Sequence, residues 1–433
     1  MSRAPWIRRP FVPVTSRRVR SALALACATT VLAGCSLLDA SDAQGQEITV
    51  MANLTDKTSV DTVVEAFHRQ NPGIRVTVTF ADTNTLQKEL PGKLREGEGP
   101  DVFTVWPGSG NPASATALER DNVLEELTLR RFNRTMPEGV RPVVGVLGST
   151  HIVPMSFSAI GAIYSERTLH EIGGSAPTTW TELLELCATA RKHGKVLFAL
   201  GNATPWVTQL VDYALVATTV YAEHPDFDQQ MTLNRQTFAA SGWRTALEKY
   251  LEMNDRGCFS PKPLDTTYED SLDQVTDGRA VGVIQVASAL SALRTAEPGL
   301  KLRMSALPAT DDPKDTRMPG AVSAAYGLNA NSAHREAALQ FIDFLGSREG
   351  QNLYNSSGAT LPALPNPSFA VDPAIEEVAR RQMAGATVPF MDQRWPNSNV
   401  QQTHFAQIRA LFAGTTDVGD ALTALDHAYR KGR

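Results

Sequence analysis

Residues 47–80 read EITVMANLTDKTSVDTVVEAFHRQNPGIRVTVTF, and their patterning decides the fold class. Ile48 and Val50 alternate with polar neighbours, the period of a half-buried strand. Val60, Val63, Val64 and Phe67 then fall at i, i+3, i+4 and i+7, one face of a helix that Asn71-Pro72-Gly73 stops. Ile74, Val76, Val78 and Phe80 alternate with Arg75, Thr77 and Thr79, a second strand. Strand, helix and strand in so short a span make a βαβ unit, so the sheet is parallel at least in part and the class is α/β.

Before this unit, Arg3, Arg8, Arg9, Arg17, Arg18 and Arg20 crowd the start, and no acid precedes Asp39. The small apolar run Ala22–Ala33 that follows is too short to span a bilayer, so residues 1–34 read as an export signal. Ser16-Arg17-Arg18 leaves the twin-arginine route open beside the general one. Leu32-Ala33-Gly34-Cys35 resembles the lipobox of bacterial lipoproteins, which implies cleavage before Cys35 and a lipid on its sulfur. Residues 35–46 then form a polar tether. The chain holds 41 basic and 46 acidic residues; without the six arginines of the signal the balance is 35 against 46, net −11. An acidic body argues against nucleic acid as partner, and leaves membrane attachment to the lipid alone. After the signal no apolar run approaches the ~18 residues of a spanning helix. Of the cysteines beyond Cys35, Cys187 and Cys258 either pair in an oxidising exterior or stay as two buried thiols.

After the βαβ unit, a weaker helix around Leu86–Arg95 carries Pro91, which is expected to kink or split it. A strand over Asp101–Trp106 closes on Pro107-Gly108. Thr179-Trp180-Thr181-Glu182 is a capping box with Leu183, Leu184, Cys187 and Ala190 behind it, and Gly194 is the stop. Further strands fall at Val196–Leu200 and Val281–Val286. Helices are marked by Trp243, Leu247 and Tyr250, by Ala337 to Leu345, and by Val418 to Tyr429.

The succession AFHRQNPGIRVTVTF, EGEGPDVFTVW, VPMSFSAIGAIYSERTLHEIGGSAPTTWTELLELCATARKHGKVLFALG, LEKYLEMNDRGCFSP, DGRAVGVIQVASAL and YGLNANSAHREAALQFIDFLGSREGQNLYNSSGATLPALP resembles the extracellular solute-binding proteins of ABC importers, in the sugar-binding branch that includes maltose-binding protein. The likeness runs from about Glu47 to the C-terminus. It implies a two-lobed periplasmic-binding-protein fold with an interlobe ligand cleft. One lobe is expected from 46–155 plus 304–353 and the other from 156–303 plus 354–433. Crossings are expected near Val153–Met155, Leu300–Met304 and Leu353–Ser357. It implies closure of the lobes on a carbohydrate, docking on the permease subunits, a monomer, and a place on the outer face of the membrane, held by the lipid on Cys35.

Sugars present apolar C–H faces and a rim of hydroxyls, so their sites need aromatic faces and planar polar groups. Trp6 leaves with the signal, while Trp180 and Trp243 read as core. Trp106, Trp206 and Trp395 each lie beside proline, in TVWPGSGN, GNATPWV and QRWPNSN, and are expected to line the cleft. Asn202 precedes Trp206 in the segment where the family places an acid and an aromatic. Ser158 fills the slot of a family glutamate four residues beyond Pro154, which removes an acid expected of a maltodextrin site. Asn53, Asp56 and Lys57 follow the first strand, where ligand-binding polar residues are expected; Phe157, Gln285 and Arg394 complete the candidate set. There is no HExxH, no GxSxG and no metal-ligand spacing among the eight histidines, so neither an enzyme nor a metal or cofactor is expected. An exported carbohydrate-active hydrolase is the weaker rival. A same-fold receptor for a polyamine, a phosphate ester or a peptide is the stronger one. A polyamine site needs several acids among the cleft aromatics, and a phosphate site needs Arg, Lys or helix N-termini. The cleft loops named here cluster few charges, which favours a neutral polyol or oligosaccharide.

Overall fold

The computed structural model describes residues 46–431 apart from positions 147 and 365. The expected export signal, Cys35 and the tether up to residue 45 lie outside the described residues. The first strand, β1 (Gln46–Asn53), pairs in parallel with β2 (Ile74–Ala81), and helix α1 (Lys57–Gln70) crosses between them. Val60, Val63, Val64 and Phe67 are all buried, as the spacing predicts. Helix α2 (Thr83–Glu96) runs through Pro91 without interruption. Its N-cap, Asp82, accepts from the backbone N–H of Asn84 and Thr85, and Leu86, Leu90 and Leu94 anchor it on both sides of the proline. Apolar burial of three leucines, worth roughly 1.5–3 kcal/mol each, outweighs the lost hydrogen bond. Strand β3 (Val102–Thr104) is shorter than the sequence suggests, because Trp106 leaves the ladder to bridge Ser114.

Two long strands organise the rest, β4 (Ile152–Ser165) and β8 (Met318–Leu328), which pair antiparallel. With β5 (Val196–Ala199), β6 (Ala280–Val286) and β7 (Leu302–Ser305), the order is β2–β1–β3–β8–β4–β6–β5, and β7 pairs with β4. The ends of this path are parallel pairs, β1 with β2 and β5 with β6, while the middle is antiparallel. The sheet carries two separate hydrophobic cores. The first gathers Ile48 through Met155 with Ala324–Leu328 and the helix Arg335–Leu345. The second gathers Ala159 through Ala321 with the C-terminal helices Ser398–Phe412 and Val418–Lys431. These are the two lobes of the fold.

Strand β4 passes from one core to the other between Met155 and Ala159, where two register shifts break its pairing with β8. Leu300, Leu302 and Met304, expected at the second crossing, instead pack in the second core, where β7 adds to β4. The chain returns to the first core later, between Ala321 and Ala324. In the second lobe the capping box forms: the Thr179 hydroxyl accepts from the Glu182 N–H, and the Glu182 carboxylate from the Thr179 N–H. Cys187 and Cys258 are joined as a disulfide across 71 residues. No described helix is long and apolar enough to cross a membrane.

Candidate functional site

A hollow of about 110 Å³ lies between the two cores, and a wider one of about 520 Å³ continues outward; Asn53, Thr55, Thr83 and Trp206 line both. The first lobe supplies Asp56, Thr104 and Trp106, and the second supplies Ile160, Trp206 and Phe390. The place follows from topology. The C-terminal ends of parallel strands open at the reversal of an α/β sheet, and the loops after β1 and β3 begin there. Trp106 is half-buried against the first core. Trp206, 9% exposed, meets the ring of Tyr268 at 5.1 Å between centroids. One indole from each lobe therefore faces the gap.

The candidates divide. Asn53, Asp56, Trp106 and Trp206 come together at the hollow. Asn53 is committed locally: its Oδ1 accepts from the Thr55 N–H at 3.1 Å and its Nδ2 donates to Thr83 Oγ1 at 3.0 Å. Asp56 keeps part of its surface open to the gap, yet protein surrounds its carboxyl closely. That desolvation raises its pKa to about 6, against the pull of hydroxyls from Tyr354 and Thr55. Lys57 turns away, its Nζ 2.5 Å from Asp61 on the helix surface and 4.6 Å from the Phe80 ring centre. Phe157 packs against the second core. Ser158 is buried with no hydrogen-bond partner for its hydroxyl, two residues before Ile160 and so on the same strand face. Gln285 is buried opposite Gly161, with neither amide atom partnered; its neighbour Val286 lines the hollow, which puts Gln285 on the other face of β6.

Asn202 is a structural residue. Its Nδ2 donates to the Tyr250 hydroxyl at 3.1 Å and its carbonyl accepts from Arg409. Arg394 points outward to Asp228 at 3.4 Å. Trp395, expected at the cleft, is 2% exposed and lies in an aromatic nest with Tyr213, Phe238, Trp243 and His404, at centroid distances of 6.0–6.2 Å. It is a core ring.

Sequence reasoning missed a polar group on the second-lobe side of the hollow. Gln401 Nε2 donates to Asp392 Oδ2 at 3.0 Å and to Gln209 Oε1 at 3.4 Å, and Gln393 Nε2 donates to the Val322 carbonyl at 2.7 Å. The Oε1 atoms of Gln393 and Gln401 have no partner in the protein. Burial lifts the Asp392 carboxyl to a pKa of about 6, opposed by a backbone N–H, His404 and Tyr213. Behind them His404 Nε2 meets Asp212 Oδ2 at 2.8 Å in the core. The one usable sequence signal was Gln209 and Asp212 inside the otherwise apolar run TQLVDYALVATT. A charged or amide side chain in such a run needs a partner or a ligand.

A larger hollow, about 800 Å³, opens on the second lobe alone, and Arg294 with Asp372 and Arg381 with Glu377 already pair across it. It lies outside the gap between the lobes. Among the described residues no group of three or more His, Cys, Asp or Glu side chains could hold a metal.

Residues 52–352 match the family of bacterial extracellular solute-binding proteins. The chain belongs to that family. As a solute-binding protein it is 21% identical over 391 residues to an uncharacterized ABC transporter extracellular-binding protein of Pyrococcus horikoshii, covering 87% of this chain and 85% of that one. Its fold is shared with solved structures of a chitin oligosaccharide binding protein and of a solute-binding protein in complex with raffinose. The first has a TM-score of 0.73 at 19% identity, over 86% of this chain and 94% of the other. The second has a TM-score of 0.75 at 16% identity, over 89% and 99%. The two cores, the crossing strands and the hollow between them are the two-lobed architecture of this solute-binding family.

Proposed function

We propose that this solute-binding protein is the carbohydrate receptor of an ABC importer, without catalytic activity, lipid-anchored through Cys35 outside the membrane. It captures a saccharide between the lobes and hands it to the permease as the lobes close. The carrying observation is the pair of indoles, Trp106 and Trp206, one from each lobe, facing a gap rimmed by planar amides and carboxylates. Indoles offer the flat apolar face a sugar ring stacks on, and the rim takes its hydroxyls. The likeness in fold to a chitin oligosaccharide binding protein and to a solute-binding protein in complex with raffinose supports a saccharide rather than a peptide or phosphate ester.

Titration calorimetry across a saccharide panel tests the reading. Trp106→Ala and Trp206→Ala are each expected to weaken binding by roughly 1–3 kcal/mol. Trp395→Phe is expected to lower thermal stability and leave affinity within about twofold, because its ring packs in the core. Binding indifferent to both cleft tryptophans sinks the reading, and so does steady product formation from the bound sugar.

A further inference from the structure

We propose that the saccharide held in the cleft carries a free primary amine, so that the ligand enters as a cation; this rests on the carbohydrate-receptor reading above. The lining is rich in acceptors and poor in strong donors. Among the described residues, neither hollow is lined by a lysine, an arginine or a histidine. Asp56 and Asp392 line the inner hollow, and Asp82, Glu269 and Asp273 the outer one. Asp82 is occupied as the cap of α2, which leaves four carboxylates free of that duty.

The amides sharpen the asymmetry. Gln393 presents its NH2 to the Val322 carbonyl, which can only accept, so its Oε1 must point away from that bond. Gln401 presents its NH2 to the Asp392 carboxylate, which orients it in the same way. Both glutamines line the inner hollow, at 6% and 2% exposure, and both Oε1 atoms are unpartnered. A buried acceptor without a donor is costly. A sugar hydroxyl brings one O–H donor and also acceptor lone pairs, for which this wall offers only neutral hydroxyl, indole and amide hydrogens. An ammonium brings three donors, no acceptor, and the charge that two desolvated carboxylates lack. The same wall carries Trp106, Trp206 and Phe390, whose ring faces attract a cation as well as a sugar face. The burial that raises both carboxyls is the cost a cationic ligand relieves.

The test is calorimetry on the purified full chain near neutral pH and physiological salt. The ligands are gluco- and galacto-configured amino-disaccharides and trisaccharides, their N-acetylated forms, the plain hydroxyl counterparts, and spermidine. The free amine is expected to bind at least about tenfold tighter than either neutral counterpart. Asp56→Asn and Asp392→Asn, with folding verified by circular dichroism, are each expected to weaken the amine at least about tenfold more than its neutral counterparts, and an equal loss for both classes overturns the inference. A neutral counterpart that binds as tightly as the amine overturns the inference and leaves the carbohydrate receptor standing. Spermidine binding with no saccharide bound, or no saccharide bound at all, overturns the receptor reading and this inference with it.

Discussion

Asp56 and Asp392 have folded pKa values near 6, above the ordinary 3.8, and that fixes a sign. Below about pH 4 both states are protonated and the groups cost nothing. Between about 4 and 6 the unfolded chain loses protons first, so stability falls as pH rises. Above about 6 the deficit is complete. Asp392→Asn is therefore expected to stabilise the ligand-free protein above pH 6 by about 1–3 kcal/mol and to leave it unchanged near pH 4. Thermal unfolding of variant and parent across that range checks it; a variant less stable at neutral pH removes the argument. Such a trade of stability for an unpaired charge is what binding sites show. Asp56 is marked by its place just after the first strand, whereas Asp392 does not stand out locally in the chain. Asp392 lies two residues from Arg394, and only the fold turns one inward and the other out to Asp228.

At the level of elements, the loop after β3 and the segment around Asp392 meet through their backbones. The Ser109 N–H donates to the Gln393 carbonyl at 3.2 Å, and the Ser109 hydroxyl to the Trp395 carbonyl at 2.5 Å. A Cβ on Gly110 would stand 2.0 Å from the Asp392 carbonyl oxygen, and one on Gly108, at φ +84, 2.2 Å from the Gln393 carbonyl oxygen. Backbone on backbone leaves no side chain to give way. Gly110→Ala is expected to separate the two segments, lower stability by about 1–3 kcal/mol and weaken ligand binding with it. Titration and thermal unfolding of the variant measure both, and a variant with parental affinity contradicts the contact. On the first-lobe side of the β4 crossing, Gln351 Nε2 donates to the Pro154 carbonyl at 3.0 Å and Asn355 Nδ2 to the Met155 carbonyl at 2.9 Å. These amides hold β4 where its pairing with β8 is irregular.

Over the whole molecule, the disulfide belongs to the second lobe and stays clear of the cleft. It ties the helix Trp180–Lys192 to the segment just beyond the helix Trp243–Asp255. A loop of 71 residues sets an entropic contribution of about 4 kcal/mol as the upper expectation. Reductant is expected to lower the unfolding temperature and to leave affinity within about twofold, since neither cysteine lines the hollow. A loss of binding at temperatures where the reduced protein remains folded contradicts that separation of core and cleft.

Periodicity alone determined the βαβ start, the helix faces and the capping box, because each is a local pattern of burial and hydrogen bonding that neighbours in sequence complete. The tryptophan roles were not local. Trp106, Trp206 and Trp395 all sit beside proline in similar polar turns, and whether an indole meets a gap or a nest of rings depends on elements far away in the chain. The acceptor-rich wall was hidden for the same reason. Gln209, Asp392, Gln393 and Gln401 come from three segments, and only packing decides which amide hydrogens are already taken and which oxygens are left without a partner at the hollow.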